Sequence, residues 1–285
     1  MKSTLTIILV ILITAAVQAR TTLKYELRDS TAVIELNKQA FSIRLVKPEQ
    51  TVANANKALE IARQIRYIKG LGESHRVIGI GYYYLDRQAN AIDHYLAALT
   101  YFEQVKDLYG QGKVYSNIGN LYRLNDYGLS LGYFNKALTI AVKLADNQLA
   151  AGLYNNMGSV YYRQNSFTRA LNCFNKSSEL FATLNDSVNI VQCAQNSGNI
   201  YLALHLYDKA ENYLVKASTG AKKTGLNDMV IVTDLALAQT YIARNKFKQA
   251  EKTIREGMKY AAAAHNDKLL SDFEDMKAQL ASKRR

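Results

Sequence analysis

A small residue recurs along this chain at Gly79, Gly119, Gly158, Gly198 and Ala238, with a spacing that varies by no more than one position. Three positions after each stands a tyrosine: Tyr82, Tyr122, Tyr161, Tyr201 and Tyr241. A turn aromatic follows at Tyr127, Phe167, Tyr207 and Phe247, a second small residue at Ala91, Ser130, Ala170, Ala210 and Ala250, and a third small series at Ala58, Ala98, Ala137, Ser177, Ala217 and Gly257. Self-similarity at a fixed period of roughly 20–50 residues marks an array of supersecondary units, none of which can bury its apolar face alone. Such a chain folds by stacking its units on one another, and a fold built around one central core is excluded.

The residues inside one unit say what is stacked. Tyr154, Met157, Gly158 and Tyr161 step by 3, 1 and 3 and so share one helix face, as do Phe167, Ala170, Leu171 and Phe174 in the segment that follows. Two helices therefore face each other, with small residues letting the backbones approach and aromatic rings filling the space beside them. Each such ring contributes roughly 1.5–3 kcal/mol when buried. Breakers are few, with one Pro and 15 Gly in 285 residues, and 48% of the chain is hydrophobic. The fold class is all-α. Ala58 implies a unit before the first Gly, in which Pro48 takes the turn position and Gln39 the Gly position. The pairs Asn185-Asp186, Asn227-Asp228 and Asn266-Asp267 are expected to stop one helix and cap the next.

These linked positions resemble the tetratricopeptide repeat over about residues 32–267. The usual unit of about 34 residues is drawn out here to about 40, which is expected to come from a longer second helix. The family's early Trp is replaced by Tyr115, Tyr154 or His75, and its Pro at the repeat end is missing. The resemblance implies a right-handed superhelical α-solenoid of about six helix-turn-helix repeats, followed by a capping helix and basic tail over residues 268–285. It is similar to the exported sensory segments of bacterial regulators. It also implies that the first helix of each pair lines a concave surface. The positions facing that surface would be Arg76, Tyr83, Ser116, Asn117, Asn120, Arg123, Asn155, Asn156, Ser159, Tyr162, Arg163, Gln195, Asn196 and Asn199. Amides dominate, and an amide offers a donor and an acceptor together, matching a peptide unit. Arg123 and Arg163 would attract a carboxylate.

The first twenty residues, MKSTLTIILVILITAAVQAR, differ from the rest. One Lys precedes an apolar run from Leu5 to Val17, and Val17 and Ala19 occupy the −3 and −1 positions of a cleavage site, which is a secretory layout. The run is short of the roughly twenty residues that span a bilayer, so residues 1–19 are expected to be removed, leaving a lead-in over 20–31. Export is therefore expected, to the periplasm or medium, with membrane contact only through the uncleaved segment. Cys173 and Cys193 would sit on antiparallel neighbouring helices, offset by about 9 Å along the axis at 1.5 Å per residue. That exceeds the roughly 7 Å Cα limit for a bridge, and two buried thiols are expected.

Motifs for chemistry are incomplete. His75, His94, His205 and His265 form no HExxH, and no Cys-x-x-Cys accompanies them. GQGK at 110–113 has Asp107 where a phosphate loop needs its first Gly and Val114 where it needs Ser or Thr. GIGYYYL from Gly79 lacks the third Gly of a dinucleotide site. No catalytic residue, metal or cofactor is expected. Lys and Arg number 36 against 24 Asp and Glu, a net charge of +12 that favours acidic partners, but the cations are scattered. The expected function is a non-catalytic protein- or peptide-binding module, adaptor or sensor, outside the cytoplasm. A nucleic-acid-binding helical repeat is the alternative, favoured by charge and opposed by the export signal and the lack of a regular basic stripe.

Overall fold

The computed structural model describes residues 29–283; the secretory segment and residues 20–28 of the lead-in lie outside the described residues. Helices α1 (residues 29–42), α2 (Pro48–Gln64), α3 (Ile68–Tyr84), α4 (Gln88–Gln104), α5 (Leu108–Tyr122) and α6 (Tyr127–Lys143) form the first three pairs. Helices α7 (Asn147–Arg163), α8 (Phe167–Thr183), α9 (Ser187–Ala203), α10 (Tyr207–Thr224), α11 (Asn227–Ala243) and α12 (Phe247–Ala263) form three more, and α13 (Asp267–Lys283) follows. No strand occurs among the described residues. The helices group into two compact units, one ending at Ile140 and the other beginning at Ala141, with the division inside α6.

In three of the five pairs from α3 to α12 the longer repeat is shared equally between its helices, although α6 has 17 residues against 15 in α5 and α10 has 18 against 17 in α9. First helix α7 and second helix α8 both have 17 residues, as do α9, α11 and α12. Among those pairs the expectation of a longer second helix therefore holds only for α5/α6 and α9/α10. The turns explain the equality. From α6 to α13 a left-handed residue recurs at Ala145, Asn165, Asn185, His205, Gly225, Asn245 and His265, once in each turn between helices and at constant spacing. In each case the next N–H reaches back to a carbonyl five residues earlier, as Asp186 does to Phe181 at 3.0 Å and Asn266 to Ala261 at 3.0 Å. That closure satisfies carbonyls left open at the helix end. The same residue then starts the following helix: Asp146 and Asp186 accept from the N–H groups of Leu149 and Asn189 at 2.9 and 3.1 Å.

Of the three Asn-Asp pairs, only Asn185-Asp186 sits in the expected register. Gly225, at φ +72°, takes the left-handed position before α11, because it does so without a Cβ penalty, and Asn227-Asp228 fall inside the helix. Before α13, His265 is left-handed, Asn266 is the cap that accepts from Leu269 at 3.1 Å, and Asp267 is already helical.

Packing across each pair follows the small-against-bulky rule. A Cβ on Gly158 would lie 2.7 Å from the Phe174 ring, and one on Gly79 would lie 2.6 Å from the Tyr95 ring. Gly119 meets Phe134, and Gly198 meets Leu214, in the same way. The earliest unit needs one correction. Gln39 is exposed, and the small position belongs to Ala40, which is fully buried. The Ala40 carbonyl accepts from Thr51 Oγ1 at 2.9 Å, as the Gly119 carbonyl accepts from Ser130 Oγ at 2.8 Å. In both pairs the two residues are 11 apart, whereas Gly158 and Ala170 are 12 apart. A connection shorter by one residue shifts the register.

In the first unit the core runs from Val33, Leu59 and Ile78 to Tyr95, Phe102 and Ile118. In the second it runs from Phe174 and Ile200 to Leu214, Ile231 and Phe273. Helix α13 packs on α11 and α12, with the buried Phe273 ring filling the space beside Gly257. Cys173 and Cys193 are free and buried, as expected, and burial raises the pKa of both thiols.

Candidate ligand-binding faces

In the second unit α7, α9 and α11 are successive first helices, α9 packing on both α7 and α11. A cleft of about 430 Å³ on them is lined by Tyr162, Asn199, Leu202, Val232, Leu235 and Gln239, among others. Tyr162 and Asn199 belong to the set read from sequence. Tyr162 and Val232 stay 39% and 38% exposed, an apolar surface beside amides.

The other amides of that set separate into two kinds. Asn155, Gln195 and Asn196 are engaged in one network through Gln192: Gln192 Nε2 donates to Gln195 Oε1 and Asn196 Oδ1 at 3.1 and 3.2 Å, and Asn196 Nδ2 donates to Asn155 Oδ1 at 3.2 Å. Cys193 adds a weak donation to Ser177 Oγ at 3.3 Å. Gln195 is only 7% exposed, against the expectation of a surface position. The Asn155–Asn196 bond ties α7 to α9, and Gln192 and Gln195 extend the network along α9. Asn156 and Asn199 are half-buried, and their amides make no hydrogen bond to another described residue. Arg163 is exposed at the end of α7.

In the first unit a cleft of about 400 Å³ lies on α1, α3 and α5. Its floor is a charge cluster. Arg76, expected at the surface, is 6% exposed and grips Glu73 as a fork, Nε to Oε2 at 3.0 Å and Nη2 to Oε1 at 2.6 Å. Lys113 Nζ donates to the same Glu73 Oε2 at 3.1 Å. Burial pushes the Glu73 carboxyl up, but the two cations outweigh it and hold its pKa at about 2. Beside them Lys69 pairs with Asp107 at 2.8 Å, while Asp107 also accepts from the Gly110 N–H at 2.9 Å and so caps α5. GQGK is thus the first turn of a helix, with Gly110 against the Phe102 ring.

Further along α5, Asn117, Asn120 and Arg123 are half-buried. Asn117 Nδ2 and Arg123 Nε are buried donors with no hydrogen-bond partner among the described residues. Tyr83 packs edge-on to Tyr84. Sequence reasoning centred on positions near the Gly and missed Glu73 and Lys113, which lie six residues before Gly79 and Gly119. The steps Lys69, Glu73, Arg76 and Tyr109, Lys113, Ser116 mark one face of each helix and would have shown the stripe.

His75 and His94, on α3 and α4, have their Nδ1 atoms 3.0 Å apart, and His75 stacks on Tyr101. Burial, then the neighbouring His94, lowers the His75 pKa to about 4, and burial lowers that of His94. No group of three or more metal-ligating side chains occurs among the described residues.

Residues 110–183 and 148–223 match the tetratricopeptide repeat family in two overlapping stretches. No curated protein matches the sequence. Among solved structures, BtubC (BKLC) from P. vanneervenii is similar with a TM-score of 0.69 and 20% identity, over 77% of this chain and 92% of that one. The apo quorum sensor NprR from B. thuringiensis has a TM-score of 0.67 at 15% identity, over 92% and 82% of the two chains. NprR in complex with its cognate peptide NprX has a TM-score of 0.53 at 15% identity, over 87% and 72%. Identities this low speak for the fold, an all-α solenoid. With helix pairs recurring at a fixed period and a small residue under a bulky one at the crossings, this chain has the fold of tetratricopeptide repeat proteins, and its residues 110–223 match that family.

Proposed function

We propose that this protein is a non-catalytic module that holds a peptide or extended protein segment on its first helices, outside the cytoplasm. The observation that carries the reading is the second-unit face, where the free amides of Asn156 and Asn199 stand on α7 and α9 and Asn199 borders exposed Tyr162 and Val232. Free amides supply main-chain recognition, and exposed apolar side chains supply contact area. The tetratricopeptide match and the structural likeness to NprR, itself solved with a cognate peptide, support it.

The test starts from a ligand selected from a displayed library of random decapeptides. Each lost hydrogen bond typically costs about 0.5–1.5 kcal/mol. The variant Asn156→Ala/Asn199→Ala/Gln239→Ala is therefore expected to bind about ten- to a thousandfold more weakly, at an unchanged melting temperature. Full affinity in that variant would make these amides scaffold and place recognition elsewhere.

Export rests on the residue pattern of positions 1–19. Mass spectrometry of the mature protein is expected to find Arg20 as its first residue. Mature material that keeps Met1 would overturn this part of the reading.

A further inference from the structure

We infer, independently of the peptide-binding reading, that His75 and His94 form a two-imidazole site on the α3/α4 pair for a divalent transition metal of tetragonal preference, Cu(II) or Ni(II). The two residues stand 19 apart in sequence, beyond the local spacing of HExxH, and meet because α3 packs on α4. Their Nδ1 atoms are 3.0 Å apart. A metal about 2.0–2.1 Å from each nitrogen would then subtend an angle of about 95° between them. A tetrahedral ion, at roughly 109°, would need the nitrogens about 3.3–3.4 Å apart, so the square-planar and tetragonal ions fit better than Zn(II).

The scaffold holds the pair in place. His75 lies one helical turn before Gly79 and His94 immediately before Tyr95, and a Cβ on Gly79 would lie 2.6 Å from the Tyr95 ring. This tight crossing sits beside the two imidazoles and sets their separation. Tyr101 stacks on His75 with ring centres 5.6 Å apart, and Tyr82 lies against His94 at 5.5 Å, which limits rotation of both rings. Both histidines are half-buried, so an ion can enter from solvent. Burial lowers both pKa values and keeps the rings neutral at pH 7, the form that ligates a metal. One Nδ1 carries the proton that the other accepts. On binding, that proton moves to Nε2 of its own ring by exchange with water, and both Nδ1 lone pairs face the metal. Asp93 beside His94 favours a cation there, while the charge of Arg63 opposes one from the side of His75. Two protein ligands leave the remaining coordination positions to water or to a donor group of a bound molecule.

Titration with CuCl2, NiCl2 and ZnCl2 in turn at pH 7, followed by calorimetry and by thermal melts, tests the site. One Cu(II) per chain is expected, with a rise in melting temperature that saturates at one equivalent. Because Cu(II) binds most nitrogen sites more tightly than its neighbours, the order of Ni(II) and Zn(II) tests the geometry, and Ni(II) is expected to bind more tightly. The electron paramagnetic resonance spectrum of the Cu(II) form is expected to show coupling to two imidazole nitrogens, a readout that needs no variant. His75→Gln and His94→Gln are each expected to bind Cu(II) at least about ten- to a hundredfold more weakly, since loss of an outer-shell partner alone costs that much. Both leave the Gly79–Tyr95 crossing intact. His205→Gln, in a turn of the second unit, is the control and is expected to bind as the parent does. Undiminished Cu(II) affinity in His75→Gln or His94→Gln, or a spectrum with a single nitrogen, would overturn the inference. Tighter binding of Zn(II) than of Ni(II) would overturn its tetragonal geometry.

Discussion

Phe174→Ala is expected to destabilise the second unit by about 3–5 kcal/mol, as large-to-small changes of a fully buried aromatic do. The Phe174 ring is 2% exposed and lies against Gly158, on a backbone approach too close for a Cβ. Its truncation leaves a hole that the neighbours cannot fill, because Ala170 is already as small as a side chain that packs can be and the crossing itself fixes the distance between α7 and α8. Tyr161, which the sequence singles out three residues after Gly158, is a weaker choice. It is half-buried, and the Arg169 guanidinium lies 5.8 Å from its ring centre on the open side. Urea denaturation read by circular dichroism checks the comparison, with Lys283→Ala as a surface control expected to change stability by less than about 0.5 kcal/mol. Equal midpoints for Phe174→Ala and Lys283→Ala would mean that the small-against-bulky crossing does not hold the stack together.

The crossing was legible because it is local. Gly158 and Phe174 stand on consecutive helices, α7 and α8, joined by a short turn, so one unit of the repeat contains the whole interaction and the other units repeat it. What the sequence hid are register and coupling between units. The slip from Gln39 to Ala40 follows from one residue fewer in a connection, which no propensity scale sees. Asn227-Asp228 looked like punctuation, yet Gly225 is the better left-handed residue and moves the helix start two residues earlier. Among the amides, the type of residue was right and its engagement was invisible: Asn155 and Asn196 bond each other across 41 residues, while Asn156 and Asn199 are left free. Contacts between successive first helices fall near one repeat length. The Glu73–Lys113 pair spans 40 residues, so opposite charges one period apart on the inner stripe were a readable signal.

That pair sets up the second large effect. Glu73→Ala is expected to cost about 3–5 kcal/mol at pH 7, because Arg76 is then left buried without its counter-charge. Its pH dependence separates an electrostatic cause from a packing one. The Glu73 carboxyl has a pKa of about 2 in the folded protein, against an ordinary 4.5. Above the ordinary value it is ionised in both folded and unfolded chains, and its contribution is fully present. As pH falls from there towards 2, the unfolded chain takes up the proton first and stability is lost, by about 3 kcal/mol for a depression of this size. The His75 ring acts in the window above. Its pKa of about 4, against an ordinary 6.5, makes the unfolded chain the better proton acceptor as pH falls from 6.5 to 4. This loss is common to the parent and to Glu73→Ala. The gap in stability between the two is therefore expected to be constant from pH 7 to pH 5 and to narrow steadily from pH 4.5 to pH 2. Urea midpoints across that range measure it. A gap that stays unchanged down to pH 2 would show that Glu73 matters for its packing and not for its charge, and that the Arg76 guanidinium finds its compensation elsewhere.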